Sequence, residues 1–202
     1  MRFPTQALKV LFALSAVLPV YLGCGGGGGS APPPLIAPAI SAQPANQTVL
    51  EGATASFTVT ASGTAPLTYQ WKKGGTAITG ATSASYTTAA TTLADSGSSF
   101  TVTVNNAAGS VTSSAATLTV NPAPPTITTQ PANVTVTAGA TASFSVAATG
   151  TAPLTYQWKK GGTAITGATS ASYTTAATTL ADNGASFTVT VNNAAGSVTS
   201  SA

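Results

Sequence analysis

The segment GTAPLTYQWKKGGTAITGATSASYTTAATTLAD occurs twice, first from Gly63 to Asp95 and again from Gly150 to Asp182. Carried further, residues 63–115 and 150–202 differ at two positions only: Ser96 against Asn183, and Ser98 against Ala185. The copies are offset by 87 residues, the separation of Trp71 and Trp158. A period that long is a whole small domain, not one turn of a solenoid. The 202 residues therefore divide into a leader and two domains, each just large enough for a core of its own. Recent duplication explains copies this alike, and duplication lengthens a molecule without creating a new site.

Each copy is rich in Thr, Val and aromatics, in short runs broken by Gly, Pro, Asn and Ser. That texture predicts strands and turns, and no stretch carries a helical period. ASFTVTA alternates, with Phe57 and Val59 on one face. LTYQWK puts Leu67, Tyr69 and Trp71 together and points Gln70 and Lys72 outward. KKGG supplies a Gly-Gly hairpin signal. SFTVTVNN aligns Phe100, Val102 and Val104, and SSAATLTV aligns Leu118 and Val120. Several short strands at this spacing predict an all-β chain of two-sheet sandwiches.

The order Val59, Trp71, Asp95-Ser-Gly97, Phe100-Thr-Val102, Asn106-Ala-Ala-Gly109 resembles a bacterial immunoglobulin-like domain of the intermediate set. The second copy repeats it with Val146, Trp158, Asp182-Asn-Gly184, Phe187, Val189, Asn193 and Gly196. The resemblance implies two tandem immunoglobulin-like sandwiches, each centred on its tryptophan. Val59 and Val102 take the places of the family's two disulfide cysteines, as Val146 and Val189 do in the second copy. Phe100 and Phe187 stand where the corner tyrosine usually is, one residue further from the turn glycine. Disulfide and tyrosine hydroxyl are thus both replaced by apolar packing. Asp95, Gly97, Asn106 and Gly109 are implied turn residues, with Asp182, Gly184, Asn193 and Gly196 their copies. The domain limits are expected at 41–121 and 122–202. Prolines in Val120-Asn-Pro-Ala-Pro-Pro125 predict a short, stiff joint.

The first copy continues past Ala115 with ATLTV, which supplies Leu118 and Val120 to the last strand. The second stops at Ala202, the counterpart of Ala115. The second sandwich is therefore expected to be incomplete in its final strand.

The leader MRFPTQALKVLFALSAVLPVYLGC has Arg2 and Lys9 ahead of an apolar run from Val10 to Leu22. Charged start, short apolar core and small exit residues read as an export signal. The run is short for a membrane span and contains Pro19. The one cysteine of the chain, Cys24, closes it. YLGC resembles the bacterial lipobox, with Tyr21 where that motif prefers leucine. The resemblance implies that residues 1–23 are removed and that Cys24 carries lipid. Gly25, by resemblance to lipoproteins of Gram-negative bacteria, suits outer-membrane sorting. Residues 24–40 then form a spacer: a flexible glycine coil of roughly 13 Å reach and a proline-rich stretch of about 25 Å.

Charged residues are 4 % of the chain. Outside the leader four lysines face three acids, Glu51, Asp95 and Asp182, so no basic patch exists to hold nucleic acid. Lys72–Lys73 and Lys159–Lys160 read as solvated hairpin ends. The chain has no histidine, so Ser and Thr hydroxyls have no imidazole base, and cysteine–histidine zinc sites are excluded. Carboxylates do not cluster as calcium requires. CGGGGGS lacks the lysine and the strand–helix setting of a phosphate loop. No catalytic, cofactor or metal residue is assigned. Every aromatic falls on a strand position that packing explains, which leaves no stacking platform for sugars. Asn46-Gln-Thr48 and Asn133-Val-Thr135 match a glycosylation pattern but read as turns. The expected function is a lipid-anchored cell-envelope protein of structural, spacer or adhesive role. Its partners would be the membrane and, by class, other surface proteins or glycans. The alternative is a tether and accessory region for a longer surface protein or enzyme whose working domain lies beyond residue 202.

Overall fold

A computed structural model describes residues 32–202, so the export signal, Cys24 and the glycine run lie outside the described residues. The first domain runs β1 (Ala39–Ala42), β2 (Gln47–Leu50), β3 (Ser56–Thr58), β4 (Thr60–Ser62), β5 (Thr68–Lys73), β6 (Thr76–Ala77), β7 (Ser85–Thr87), β8 (Ser99–Asn106), β9 (Gly109–Thr112) and β10 (Ala116–Asn121). One layer pairs β1 with β4 and β3 with β7. The other is ordered β2-β10-β8-β5-β6, with β9 hairpinned onto β8. The second domain runs β11 (Thr126–Thr129), β12 (Ser143–Ser145), β13 (Ala147–Thr149), β14 (Thr155–Lys160), β15 (Thr163–Ala164), β16 (Ser172–Thr174), β17 (Phe187–Asn193) and β18 (Gly196–Thr199). The expected all-β architecture of two sandwiches is what the chain forms.

Period-two alternation decides which side chains enter each core. On β8, Phe100, Val102 and Val104 are buried while the residues between them are partly exposed. On β10, Ala116, Leu118 and Val120 are buried and the threonines face out. β3 and β4 are one chain path interrupted at Val59, which is itself buried and donates its N–H to Ala84 C=O. Trp71 and Trp158 are fully buried, and each indole N–H donates to a backbone carbonyl, of Ser83 and Ser170, at 2.9 Å. That bond removes the desolvation cost an indole would otherwise carry in a core. Around Trp71 stand Phe57 and Tyr86, and Phe57 stacks on Phe100 with centroids 4.6 Å apart. Val102 lies opposite Trp71 across the β5–β8 pair, and Val189 opposite Trp158. Val59 and Val146 are buried in the same clusters.

The Gly-Gly hairpin forms as its residues dictate. Gly74 and Gly75 both take positive φ, 54° and 84°, which suits a tight two-residue turn between β5 and β6. Gln70 departs from the sequence expectation. It does not point into solvent: its amide donates to Trp71 C=O and to Ile78 C=O, at 2.9 and 2.8 Å. The side chain supplies two N–H bonds, and the two carbonyls, which already accept from Ile78 N–H and Ala81 N–H, each take a second bond on their remaining lone pair; that draws it in. Gln157 repeats the arrangement.

The joint is fixed by hydrogen bonds. Glu51 N–H donates to Asn121 C=O, and Thr151 exchanges bonds with Ala123 through its N–H and its hydroxyl oxygen. The Thr151 hydroxyl donates to the Glu51 carboxylate, so one side chain from each domain closes the hinge. Asn193 Nδ2 donates to the carbonyls of Ala123 and Thr151. Asn106 holds the entry of the first domain in the same manner, through Ile36 and Thr64.

Candidate functional site

The two domains share nearly all their residues but not their surfaces, and the difference lies along one groove. In the first domain β10 is held on both sides. It runs parallel to β2, with Leu118 beside Gln47 and Val120 beside Val49. It also runs antiparallel to the start of β8, with Ala116 beside Phe100. Further bonds pin it: Gly97 N–H to Leu118 C=O at 2.8 Å and Leu118 N–H to Ser98 C=O at 2.9 Å. Thr117 N–H donates to Asn46 Oδ1, and Val120 N–H to Ser96 Oγ.

The second domain follows the same path up to its end. Ser200 repeats the bonds of Ser113 to the neighbouring strand, and Ser201 N–H donates to Gln130 Oε1 as Ser114 N–H does to Gln43. Beyond that point no strand corresponds to β10 among the described residues, as the sequence led one to expect. Residues 134–137, the counterpart of β2, form no strand either, and Val134 and Val136 are exposed. Leu180 is 85 % exposed where Leu93 is 39 %. A groove of about 820 Å³ lies there, lined among others by Asn133, Val136, Phe144, Asn183, Gly184 and Phe187. At the corresponding place in the first domain a space of only about 140 Å³ remains, with Leu118 in its wall.

Phe187 therefore departs from expectation. Its place on the strand predicts a core residue, and it is half-buried, whereas Phe100 is 1 % exposed. The ring still stacks on Phe144 at 4.7 Å, but its outer side faces the groove.

The rim carries the only ion pairs among the described residues, Lys73–Asp95 and Lys160–Asp182. The hairpin lysines are thus not merely solvated ends. Lys160 Nζ also sits 5.8 Å from the Phe187 ring centroid. Asp95 Oδ2 accepts from the N–H and hydroxyl of Thr92, at 2.8 and 2.9 Å, tying the single-turn helix Leu93–Asp95 to its own start. The Lys73 ammonium, then the Thr92 N–H and hydroxyl, lower the Asp95 carboxyl from 3.8 to about 2. Lys160 and Thr179 lower Asp182 to about 2 in the same way. Gly97 and Gly184 follow with φ of 84° and 75°, a conformation that favours glycine. Gly109 and Gly196 turn the β8–β9 and β17–β18 hairpins.

The pattern of the immunoglobulin domain family matches residues 37–116 and 124–198. The chain belongs to the immunoglobulin domain family. Among solved structures it is similar to the titin domains z1z2 in complex with telethonin, with 26 % identity and a TM-score of 0.49 over 81 % of this chain and 93 % of that one. It is also similar to an I-band fragment from titin, with 22 % identity and a TM-score of 0.43 over 82 % of this chain. The chain spans 64 % of that fragment's length. Tandem Ig repeats of Dlar are similar at 21 % identity and a TM-score of 0.38, over 82 % of this chain and 94 % of that one. No curated protein sequence matches the chain. In both immunoglobulin domains the landmark residues come together: valine opposite tryptophan in the core, aspartate and glycine at one turn, asparagine at the entry. Sequence reasoning missed the roles of Thr151 and Glu51 at the joint. Only the position of Glu51, lone among uncharged neighbours, could have marked it.

Proposed function

We propose that the chain is a lipid-anchored bacterial cell-envelope protein in which two immunoglobulin domains act as a structural, spacer or adhesive element. The observation that carries this reading is Cys24, the single cysteine, at the close of an apolar run and ahead of a glycine- and proline-rich spacer. Acylation there would hold the chain to a membrane, and Gly25 after it suits the outer membrane. The joint adds support. A hinge tied by Thr151 and Glu51 transmits position from one domain to the next, which a spacer needs and a flexible tether does not. The domains act without cofactor or catalytic group, and their partners belong to the surface-protein or glycan class.

Metabolic labelling with an alkyne palmitate analogue tests the anchor. The wild-type chain takes up label and fractionates with membranes; Cys24→Ser does neither. Equal labelling of the two would refute the proposal.

A further inference from the structure

We propose that the entry pole of the first domain rests on a lipid bilayer, with Leu35 and Ile36 set into the bilayer's interface. Leu35 is 58 % exposed and Ile36 65 %, the most exposed large apolar side chains of that domain. Their exposure is imposed by a fixed backbone. Ile36 N–H donates to Thr64 Oγ1 at 2.8 Å, and Ile36 C=O accepts from Thr64 N–H and Asn106 Nδ2, at 3.0 and 2.7 Å. The main chain is therefore held while the side chain is left in water. The two loops that hold it add exposed Ala65, Pro66, Ala107 and Ala108 to the same pole. A contiguous apolar surface of this kind marks a contact face.

The pole also carries no charge that a bilayer would have to desolvate. The charged side chains of the first domain are Glu51, Lys72, Lys73 and Asp95. β5 starts at Thr68, beside the Ala65–Pro66 loop, and ends at Lys73, so Lys72 stands about 13 Å further along the strand. Asp95 is bonded to Lys73, and Glu51 N–H to Asn121 C=O at the exit. In the second domain the same pole is already a contact face. Thr151, the counterpart of Thr64, is 7 % exposed and its hydroxyl donates to Glu51 of the first domain. The counterparts of Leu35 and Ile36 are Pro122 and Ala123, both half-buried. Leucine and isoleucine at these two positions offer more apolar surface than the joint between domains uses. The tether selects the occupant. Residues 24–34 connect Cys24 to Leu35 and span at most about 40 Å when fully extended. A bilayer that holds Cys24 is kept within that reach of the pole, at a high effective concentration, whereas a protein partner must arrive by diffusion. The inference rests on acylation of Cys24 as proposed above.

The test uses the mature chain beginning at Cys24, coupled through that one thiol to a maleimide-bearing phospholipid in phosphatidylcholine vesicles. Coupling supplies the anchor chemically, so this result and the palmitate labelling fail or succeed separately. Ile36→Trp places a reporter at the pole, and the parent chain, whose Trp71 and Trp158 are fully buried, gives the baseline. In vesicles with bromine high on the acyl chains, the added emission should fall by about half or more, because interfacial side chains sit roughly 5–10 Å into the boundary. Leu93→Trp, beside the Lys73–Asp95 pair, should keep its emission. Adding Ala65→Asp and Ala108→Asp to the Ile36→Trp chain should cut the quenching at least about twofold, with the circular dichroism of the fold retained. If bromine leaves the Ile36→Trp emission unchanged, the pole stands clear of the lipid and the proposal is overturned. Quenching of Leu93→Trp to the same extent overturns it too, since the domain then lies on its side. So does quenching that the two aspartates leave unaltered.

Discussion

Leu118 should carry a large part of the first domain's stability. It is 1 % exposed and packs in the cluster of Phe57, Trp71 and Phe100. Truncation to alanine deletes buried carbon atoms and leaves a cavity beside two aromatic rings, at a cost of about 2–5 kcal/mol. A domain of this size holds on the order of 4–12 kcal/mol in all. With a urea slope of about 1 kcal/mol per molar, the midpoint should fall by roughly 2 M or more. Each domain contains one tryptophan, so Trp158→Phe makes Trp71 the sole reporter of the first, and Trp71→Phe does the converse for the second. Fluorescence titrations of these two backgrounds also compare the domains directly. A Leu118→Ala shift below about 0.5 M in the Trp71 reporter background would refute the assignment of β10 as the closing strand of the core.

Acid should weaken both domains over one window. The Asp95 and Asp182 carboxyls sit at about 2 against an ordinary 3.8, so their pairing with Lys73 and Lys160 stabilises the fold above pH ~4 and is lost as pH falls toward 2. Asp95→Asn should flatten that limb of a stability–pH curve for the first domain, and an unchanged limb would count against the pairing. Gly63→Ala should lower the melting temperature more than Gly52→Ala. Both have positive φ, but a Cβ at Gly63 meets Pro38 Cα at 3.0 Å and Ala37 O at 3.1 Å, whereas Gly52 faces open space. Glu51→Ala should loosen the joint, seen by NMR relaxation as more independent tumbling of the two domains than in the wild type.

Much of this fold is readable in the chain because its signals are local. Alternation on β8 and β10 puts the right residues inside, Gly74-Gly75 makes the turn, and a lone tryptophan per copy marks each centre. What escapes such reading depends on partners distant in sequence. Gln70 looks like an outward polar residue by parity, yet its amide is drawn to Ile78 C=O, which also accepts from Ala81 N–H. Lys73 looks like a free charge on a hairpin, yet the chain returns Asp95 to it 22 residues later. Thr151 meets Glu51 across 100 residues, and no spacing rule connects them.

The duplication makes the non-local part measurable. Phe100 and Phe187 have the same neighbours in sequence on both sides, apart from Ser96 and Ser98 becoming Asn183 and Ala185, and the same stacking partner in the core. One is buried and the other half-buried. Neither propensity nor pattern distinguishes them, since both read as inward positions of a strand. What differs is a segment that in the first domain begins sixteen residues later along the chain, at Ala116, and lies directly opposite Phe100. The burial of a strand residue is thus a property of the completed sheet. The apolar residues of the second core cluster all have counterparts in the first, yet the first is closed over by β10 and the second is bordered by a groove.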